Sequence, residues 1–213
     1  TFNGAQIVVR LLERQGVRTL AGIPGGAILP IYDAFSKSTL IHHVLARHEQ
    51  GGGFMAQGMA RATGVPAVCM ASSGPGATNL LTAIADAKLD SIPLVAITGQ
   101  VPKAMIGTDA FQEVDTYGLS IPITKHNFLV SSADELLSVI PRAFRIAASG
   151  RPGPVLVDIP KDVQNQLVEV GEWPEPGCAD PVPAPVAELI ERAAAMINDA
   201  ARPILYLGGG VVH

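Results

Sequence analysis

The sequence has few cysteines, no cluster of basic residues and no long apolar run, and each shortage excludes a class of protein. Its two cysteines, Cys69 and Cys178, are too few for a disulfide framework. A net charge of −4 without a Lys/Arg cluster gives no reason to expect nucleic acid or an anionic membrane as a partner. No apolar run approaches the roughly 20 residues that span a bilayer. We therefore expect a cytoplasmic protein with neither partner.

The sequence is rich in apolar residues. Of its 213 residues, 48% are apolar and only 16% are charged. A chain of this length can bury a sizeable core, with room for one α/β domain and the start of another. The low charge indicates that partner subunits or domains cover part of the surface, as in an oligomer.

Helical and strand-like segments alternate along the chain. The strand-like runs are residues 17–23, 40–46, 66–72, 93–98, 125–130 and 154–159. Short connections between such segments predict a parallel sheet with helices on both faces. The predicted fold class is therefore α/β, with a doubly wound, six-stranded parallel sheet. The order of the strands does not follow from the sequence.

Three of the intervening helices have recognisable boundaries. Asn3 is suited to cap a helix that Gly16 would end. A second helical pattern covers residues 77–89. A third is predicted to start with Ser132 as its cap and to stop at Gly150, with Pro141 kinking or breaking it.

A proline-rich stretch separates this region from the end of the sequence. Prolines between residues 174 and 185 predict a stiff linker, which we place at residues 161–185. Beyond it, residues 186–199 have a helical pattern, and residues 203–207 predict a strand that opens into three glycines. We assign residues 1–160 to the first domain and 186–213 to the start of a truncated second α/β domain. The chain is then a fragment, expected to be inactive alone.

Glu49 is the first candidate for a catalytic residue. It follows the apolar run at residues 40–46 and precedes a segment rich in glycine and alanine. A carboxylate at the carboxyl end of a buried strand lies where open α/β sheets bind ligands. A carboxylate that faces the positive end of a helix dipole is the alternative interpretation. Gly51, Gly52, Gly53 and Gly58 favour the first, because glycines inside a helix suggest that something approaches it closely.

Glycine-rich loops follow the first and third predicted strands. The first contains Ile23, Pro24, Gly25 and Gly26, and the second runs from Ser72 to Asn79. Neither has the lysine of a P-loop or a complete Gly-x-Gly-x-x-Gly pattern, which disfavours a nucleotide phosphate site. Ordinary strand-to-helix turns would explain either loop alone. Together with Glu49, the loops predict a shared crevice.

These motifs, taken in order, resemble those of the thiamin-diphosphate enzymes of the acetohydroxyacid synthase type. The matching segments are Gly22-Ile23-Pro24-Gly25-Gly26, Arg47-His48-Glu49, Ser73-Gly74-Pro75-Gly76-Ala77-Thr78-Asn79, Thr98-Gly99-Gln100, Phe111-Gln112-Glu113 and Gly150-Arg151-Pro152-Gly153-Pro154-Val155. The resemblance covers the whole chain. It implies that residues 1–160 form the domain that binds the pyrimidine ring of thiamin diphosphate and that a central domain binds FAD. A final domain with a Gly-Asp-Gly motif, absent from this sequence, would bind diphosphate and Mg²⁺.

The resemblance also implies a reaction and roles for individual residues. Two 2-ketoacids would be condensed with decarboxylation to 2-acetolactate or 2-aceto-2-hydroxybutyrate, in branched-chain amino-acid biosynthesis. Glu49 would hydrogen-bond a pyrimidine nitrogen, and Gln112 would donate to oxygens of the substrate or intermediate. The thiamin pocket would contain Ile23, Pro24, Gly25, Gly26, Pro75, Gly76 and Asn79. Arg151 would contact FAD, and no metal ligand is expected in this chain.

The same family implies partners and leaves alternatives open. A homodimer or homotetramer of large subunits is expected, together with a regulatory small subunit. One alternative is another thiamin-diphosphate 2-ketoacid decarboxylase or carboligase; glyoxylate carboligase itself lacks the glutamate that Glu49 provides. The other alternative is an interaction domain that keeps the fold without the chemistry.

Overall fold

The computed structural model describes residues 1–211 and divides the chain into two compact units. The first unit is Thr1–Ala179, and the second begins at Asp180. The first unit therefore extends beyond residue 160, the predicted domain boundary, and includes residues 161–179 of the proposed linker. Among the described residues, no helix is both long enough and apolar enough to cross a membrane.

Six parallel strands form the centre of the first unit, and a two-stranded antiparallel sheet joins two distant segments. The strands are β1 (Phe2–Asn3), β2 (Thr19–Gly22), β3 (His42–Leu45), β4 (Ala67–Ala71), β5 (Leu94–Gln100), β6 (His126–Leu129), β7 (Pro154–Pro160) and β8 (Leu167–Val168). The large sheet has the order β3-β2-β4-β5-β7-β6, and every neighbouring pair is parallel. The prediction of a six-stranded parallel sheet is confirmed. The pairing of β1 with β8 was not predicted, because each strand is only two residues long.

Helices connect the strands and cover the sheet. They are α1 (Gly4–Arg14), α2 (Leu29–Phe35), α3 (Glu49–Thr63), α4 (Pro75–Leu89), α5 (Thr116–Ser120), α6 (Leu136–Ala148), α7 (Lys161–Asn165) and, in the second unit, α8 (Ala187–Asp199). Asn3 caps α1 through a capping box with Gln6, as its sequence position predicts. Gly16, with φ +79°, follows the end of that helix.

Alternate residues of the strands point to two separate cores. Val68 and Met70 of β4 lie in a core with side chains of α1, α2 and α6. Cys69 and Ala71 of the same strand lie in a second core with side chains of α3 and α4. Because side chains alternate across a strand, a sheet with apolar residues at consecutive positions must be covered on both faces. The doubly wound architecture follows from this pattern.

The third predicted helix begins later than its sequence suggested. Ser132 does not cap it: α6 starts at Leu136, and the Glu135 carboxylate accepts hydrogen bonds from the backbone N–H and the hydroxyl of Ser131. Those bonds hold the preceding residues in a turn. Pro141 lies inside α6 without ending it. A proline removes one backbone hydrogen bond, and the buried apolar face of α6, which includes Ile140 and Phe144, holds the helix together.

Residues 203–207 do not form the predicted strand. The described part of the second unit contains α8 and a 3₁₀ helix at Gly209–Val211, but no strand. A parallel strand needs neighbours for its backbone N–H and C=O groups, and none is present among these residues. Val212 and His213, which end the stretch assigned to a second domain, lie outside the described residues.

The glycines of α3 differ in what lies next to them. A Cβ on Gly53 would lie 2.6 Å from Ala83 Cβ of α4, so this glycine allows two helices to approach closely. A Cβ on Gly52 would be 3.4 Å from Ala46 Cβ, an ordinary contact. Among residues 1–211, nothing lies within 4 Å of such an atom on Gly51 or Gly58. The inference of a close approach is therefore confirmed for Gly53 and stays a prediction for Gly51 and Gly58.

Candidate active site

The two glycine-rich loops lie side by side where the strand order reverses. The chain passes from β2 to β3 on one side and then returns to β4 on the other. In open α/β sheets such a reversal leaves a crevice at the carboxyl ends of the strands, which is where ligands bind. Here the backbone N–H of Ala27 donates to Ser72 Oγ over 3.2 Å. A Cβ on Gly25 would lie 2.5 Å from Ser72 Cβ, so the loops form one continuous surface.

Glu49 lies beside this surface with one carboxylate oxygen held. It is the first residue of α3, whose N-cap His48 accepts a hydrogen bond from the backbone N–H of Gln50. Asn79 Nδ2 donates to Glu49 Oε2 over 2.9 Å. A Cβ on Gly76 would lie 3.5 Å from Oε1, which has no hydrogen-bond partner among residues 1–211. The half-buried carboxylate thus has one fixed oxygen and one that faces a glycine.

The backbone of Gln112 lies against Gly74, in the second glycine-rich loop. A Cβ on Gly74 would lie 2.6 Å from the carbonyl oxygen of Gln112. Both residues have positive φ, +56° for Gly74 and +57° for Gln112. The Gln112 side chain is exposed, and Phe111 beside it is 87% exposed. The structure therefore places Gln112 against the loop that also carries Gly76 and Asn79.

The other predicted pocket residues lie along the same two loops. Pro24, Gly26 and Pro75 are exposed, whereas Ile23 is half-buried and Gly76 is buried. A buried side chain also holds the end of the loop that contains Ile23, because Gln164 Nε2 donates to the carbonyl of Ala27 over 2.7 Å. Gln164 is fully buried and had no distinguishing signal in the sequence.

Arg151 lies elsewhere. Its Nε donates to Ser91 Oγ over 2.7 Å and its Nη2 to the carbonyl of Leu89 over 3.1 Å. These partners are at the carboxyl end of α4, whereas Pro75 begins that helix. At 1.5 Å per residue the helix separates its two ends by about 20 Å. The structure does not bring Arg151 into the crevice of Glu49.

Tyr32 is a half-buried phenol near Glu49 that the motif analysis missed. Its hydroxyl lies 3.2 Å from His43 Nε2, and a Cβ on Gly22 would lie 2.6 Å from the same hydroxyl. Burial raises the pKa of Tyr32, and the nearby Cys69 and Glu49 raise it further. Tyr32 is therefore a neutral hydrogen-bonding group at neutral pH.

Asp158 is a buried carboxyl group between β5 and β7 that was given no role from the sequence. It is fully buried and accepts hydrogen bonds from Thr98 Oγ1 over 2.6 Å and from Gln100 Nε2 over 3.0 Å. Burial raises the pKa of Asp158 to about 7; the two hydrogen bonds lower it and Asp115 raises it. A charged residue inside the apolar run 154–159 was the signal available in the sequence.

This raised pKa predicts that stability depends on pH. The folded chain keeps the Asp158 proton up to about pH 7, whereas the unfolded chain releases it near 3.8. The folded state therefore binds more protons between these values, and its stability decreases as pH rises through them, by on the order of 4 kcal/mol at most. The melting temperature of the full-length polypeptide should fall between about pH 5 and about pH 8, and it should fall further in the wild type than in Asp158→Asn. An equal fall in both proteins would contradict the raised pKa of Asp158.

Comparison with known proteins identifies the kind of domain that has this crevice. The profile of the family described as thiamine pyrophosphate enzyme, N-terminal TPP binding domain, matches residues 2–119. The chain belongs to this family. The matched residues include Glu49, both glycine-rich loops and Gln112, and they end before Arg151 and Asp158.

Several curated relatives are similar over the whole chain. The chain is 66% identical to the acetolactate synthase isozyme 1 large subunit of Escherichia coli K12, covering 100% of the chain and 38% of the relative. It is 54% identical to the acetolactate synthase large subunit of Corynebacterium glutamicum, covering 99% and 34%. It is 51% identical to the chloroplastic acetolactate synthase of Arabidopsis thaliana, covering 99% and 32%. The chain thus spans about a third of the length of these relatives.

The residues present fit the pyrimidine ring of thiamine pyrophosphate. A ring nitrogen needs a carboxyl oxygen free of protein donors, and Glu49 Oε1 has none among residues 1–211. The absence of a side chain at Gly76 leaves space in front of that oxygen. Within residues 1–211, no group of three His, Cys, Asp or Glu side chains has the arrangement of a metal site.

Proposed function

We propose that this chain is the pyrimidine-binding part of an acetolactate synthase large subunit. The whole enzyme would condense two 2-ketoacids with decarboxylation, forming 2-acetolactate or 2-aceto-2-hydroxybutyrate for branched-chain amino-acid biosynthesis. The names of the relatives above support this proposal. The structural observation that carries it is the Glu49 carboxylate, with Oε2 held by Asn79 and Oε1 facing Gly76.

In this proposal Glu49 binds and orients the pyrimidine ring. Asn79 fixes the rotation of the carboxylate, so that Oε1 stays directed at one ring nitrogen. A proton shared between that oxygen and the nitrogen would favour the imino tautomer of the ring, whose exocyclic nitrogen can act as a base. Thiamine pyrophosphate, when bound, supplies a thiazolium ring that accepts the electron pair released by decarboxylation. The loops of Ile23 and Pro75 exclude water from one side of the ring.

Gln112 would act on the substrate side of the same pocket. Its backbone is fixed against Gly74, while its exposed amide can donate hydrogen bonds. A donor directed at a developing oxyanion stabilises the transition state more than the ground state. Together with Glu49, Gln112 is our proposed catalytic residue of this chain.

The remaining partners and cofactors belong to the proposal as well. We expect FAD to be held by further domains and by the donors of Arg151 that Ser91 and Leu89 do not use. Mg²⁺ and the diphosphate would be bound by a part of the enzyme that this chain does not include. A homodimer or homotetramer of large subunits and a regulatory small subunit remain expectations from the resemblance, and a cytoplasmic location remains an expectation from the composition.

Product analysis of the full-length polypeptide tests this function. With thiamine pyrophosphate, Mg²⁺ and FAD, we expect 2-acetolactate from pyruvate alone and additional 2-aceto-2-hydroxybutyrate when 2-ketobutyrate is present. Reactions without thiamine pyrophosphate serve as the control and should yield neither product. Acetaldehyde as the main product would instead indicate a decarboxylase. Failure to bind thiamine pyrophosphate would indicate an interaction domain of the same fold.

A further inference from the structure

Asp158 is the one fully buried Asp, Glu, Lys, Arg or His side chain in residues 1–211, and the proposed reaction makes no use of it. No cation of the described residues forms a hydrogen bond or ion pair with it. Burying an acidic group without a cation is costly unless its hydrogen bonds are satisfied. Both carboxyl oxygens are satisfied here, Oδ1 by the Thr98 hydroxyl and Oδ2 by the Gln100 amide.

The Gln100 amide connects Asp158 to the segment that follows β5. Its Nε2 also donates to the carbonyl of Val114 over 2.9 Å, and its Oε1 accepts from the backbone N–H of Val101 over 2.9 Å. Gln100 is 2% exposed, so water does not compete for these bonds. Rotating the amide by half a turn would place Oε1 against the Val114 carbonyl, acceptor against acceptor. Asp158 Oδ2 accepts from the same Nε2, so Asp158 acts together with Val101 and Val114 to hold the amide in this orientation.

Val114 is two residues beyond Gln112 in the same segment. Residues 101–115 are held at three places: at Lys103 by bonds to Asp162 and Ser131, at Val114 through Gln100, and at Gln112 by contact of its backbone with Gly74. We propose that Asp158 is a positioning residue, which acts through Gln100 to hold this segment so that Gln112 faces the pocket of Glu49. This inference rests on the proposed function for the role of Gln112, whereas the holding of the segment does not.

Three substitutions separate the parts of this arrangement. Asp158→Leu removes the acceptor of Gln100, whereas Asp158→Asn keeps one, because its carbonyl can face Gln100 and its NH₂ group can donate to the Thr98 hydroxyl. Thr98→Val removes the other hydrogen bond and leaves the Asp158–Gln100 pair intact. If Asp158→Leu does not fold, Gln100→Met tests the same connection, since it removes the amide and keeps the bond between Asp158 and Thr98.

Hydrogen exchange in the full-length polypeptide measures the positioning directly. In Asp158→Leu, amides of residues 101–115 should exchange about tenfold faster, while those of α1 stay unchanged. Asp158→Asn and Thr98→Val should resemble the wild type. Unchanged exchange of residues 101–115 in Asp158→Leu would overturn the proposal. Because this measurement needs no substrate, a negative acetolactate assay would refute the proposed function without affecting it.

Turnover then tests whether the positioning serves Gln112. We expect Asp158→Leu to lower kcat about 10-fold to 100-fold with thiamine pyrophosphate affinity unchanged. In a Gln112→Ala background, the same substitution should cost less than about twofold, because the side chain to be positioned is gone. Additive effects in this double-mutant cycle would show that Asp158 acts only on stability, and would overturn the proposal.

Discussion

Glu49→Gln in the full-length polypeptide should lower kcat by about 10²-fold to 10⁴-fold and leave folding intact. The amide keeps an oxygen for Asn79, so the local structure should persist. Its NH₂ group is not acidic and cannot transfer a proton to the pyrimidine nitrogen, which is the contribution expected of a general acid–base group. Steady-state production of 2-acetolactate measures kcat, and titration with thiamine pyrophosphate shows whether the cofactor still binds.

A control from the same region separates loss of chemistry from loss of a surface charge. Asp86 lies on α4, the helix that carries Asn79, and its half-exposed carboxylate pairs with Arg61 over 3.7 Å. Asp86→Asn removes one negative charge without touching the crevice and should leave kcat unchanged. If Glu49→Gln retained half or more of the wild-type kcat, Glu49 would have no part in the mechanism.

Gly74→Ala should damage both stability and catalysis. Gly74 has φ +56° and ψ −120°, a conformation that a residue with a Cβ adopts only with strain of about 1–3 kcal/mol. The added Cβ would also lie 2.6 Å from the carbonyl oxygen of Gln112 and push that backbone away. We expect the free energy of unfolding to decrease by at least that amount. Displacing Gln112 by about 1 Å should lower kcat by on the order of 10²-fold.

Gly58→Ala provides the matched comparison. Gly58 is exposed in α3, and no atom of the described residues 1–211 lies within 4 Å of the position of an added Cβ. Alanine is the better helix former, so this variant should be stabilised by up to about 1 kcal/mol with unchanged kcat. Chemical denaturation measures the free energy of unfolding of both variants, and steady-state kinetics measures their kcat. A Gly74→Ala protein as stable and as active as Gly58→Ala would refute the role given to this turn.

The architecture could be predicted from the sequence because its signal is local. Apolar runs separated by helical patterns predicted all six strands of the large sheet, and Asn3 and Gly16 marked the ends of α1. The start of α6 was missed because two bonds between Ser131 and Glu135 override the capping preference of Ser132. The prediction of a strand at residues 203–207 was wrong for a related reason. Apolar residues form a strand only where a neighbouring strand makes hydrogen bonds with their backbone N–H and C=O groups.

The site was predictable only in part. Glu49 and both loops stood out because a carboxylate and glycines occur where parallel strands end. Asp158, Gln100 and Gln164 act through contacts between residues far apart in sequence, such as the 58 positions that separate Gln100 from Asp158. No local pattern specifies such a contact, and strand order, which creates it, was not determined by the sequence.

The short β1–β8 pair has a consequence for how the first unit is made. Phe2 pairs with Val168, so the first strand of the sequence pairs with a segment that is synthesised after all six strands of the large sheet. Phe2 and Asn3 therefore stay without this partner while β2 to β7 assemble, and pairing them joins residues far apart along the chain, a slow kind of contact. During synthesis α1, which begins at Gly4, would lack the support of this strand pair until β8 has been made.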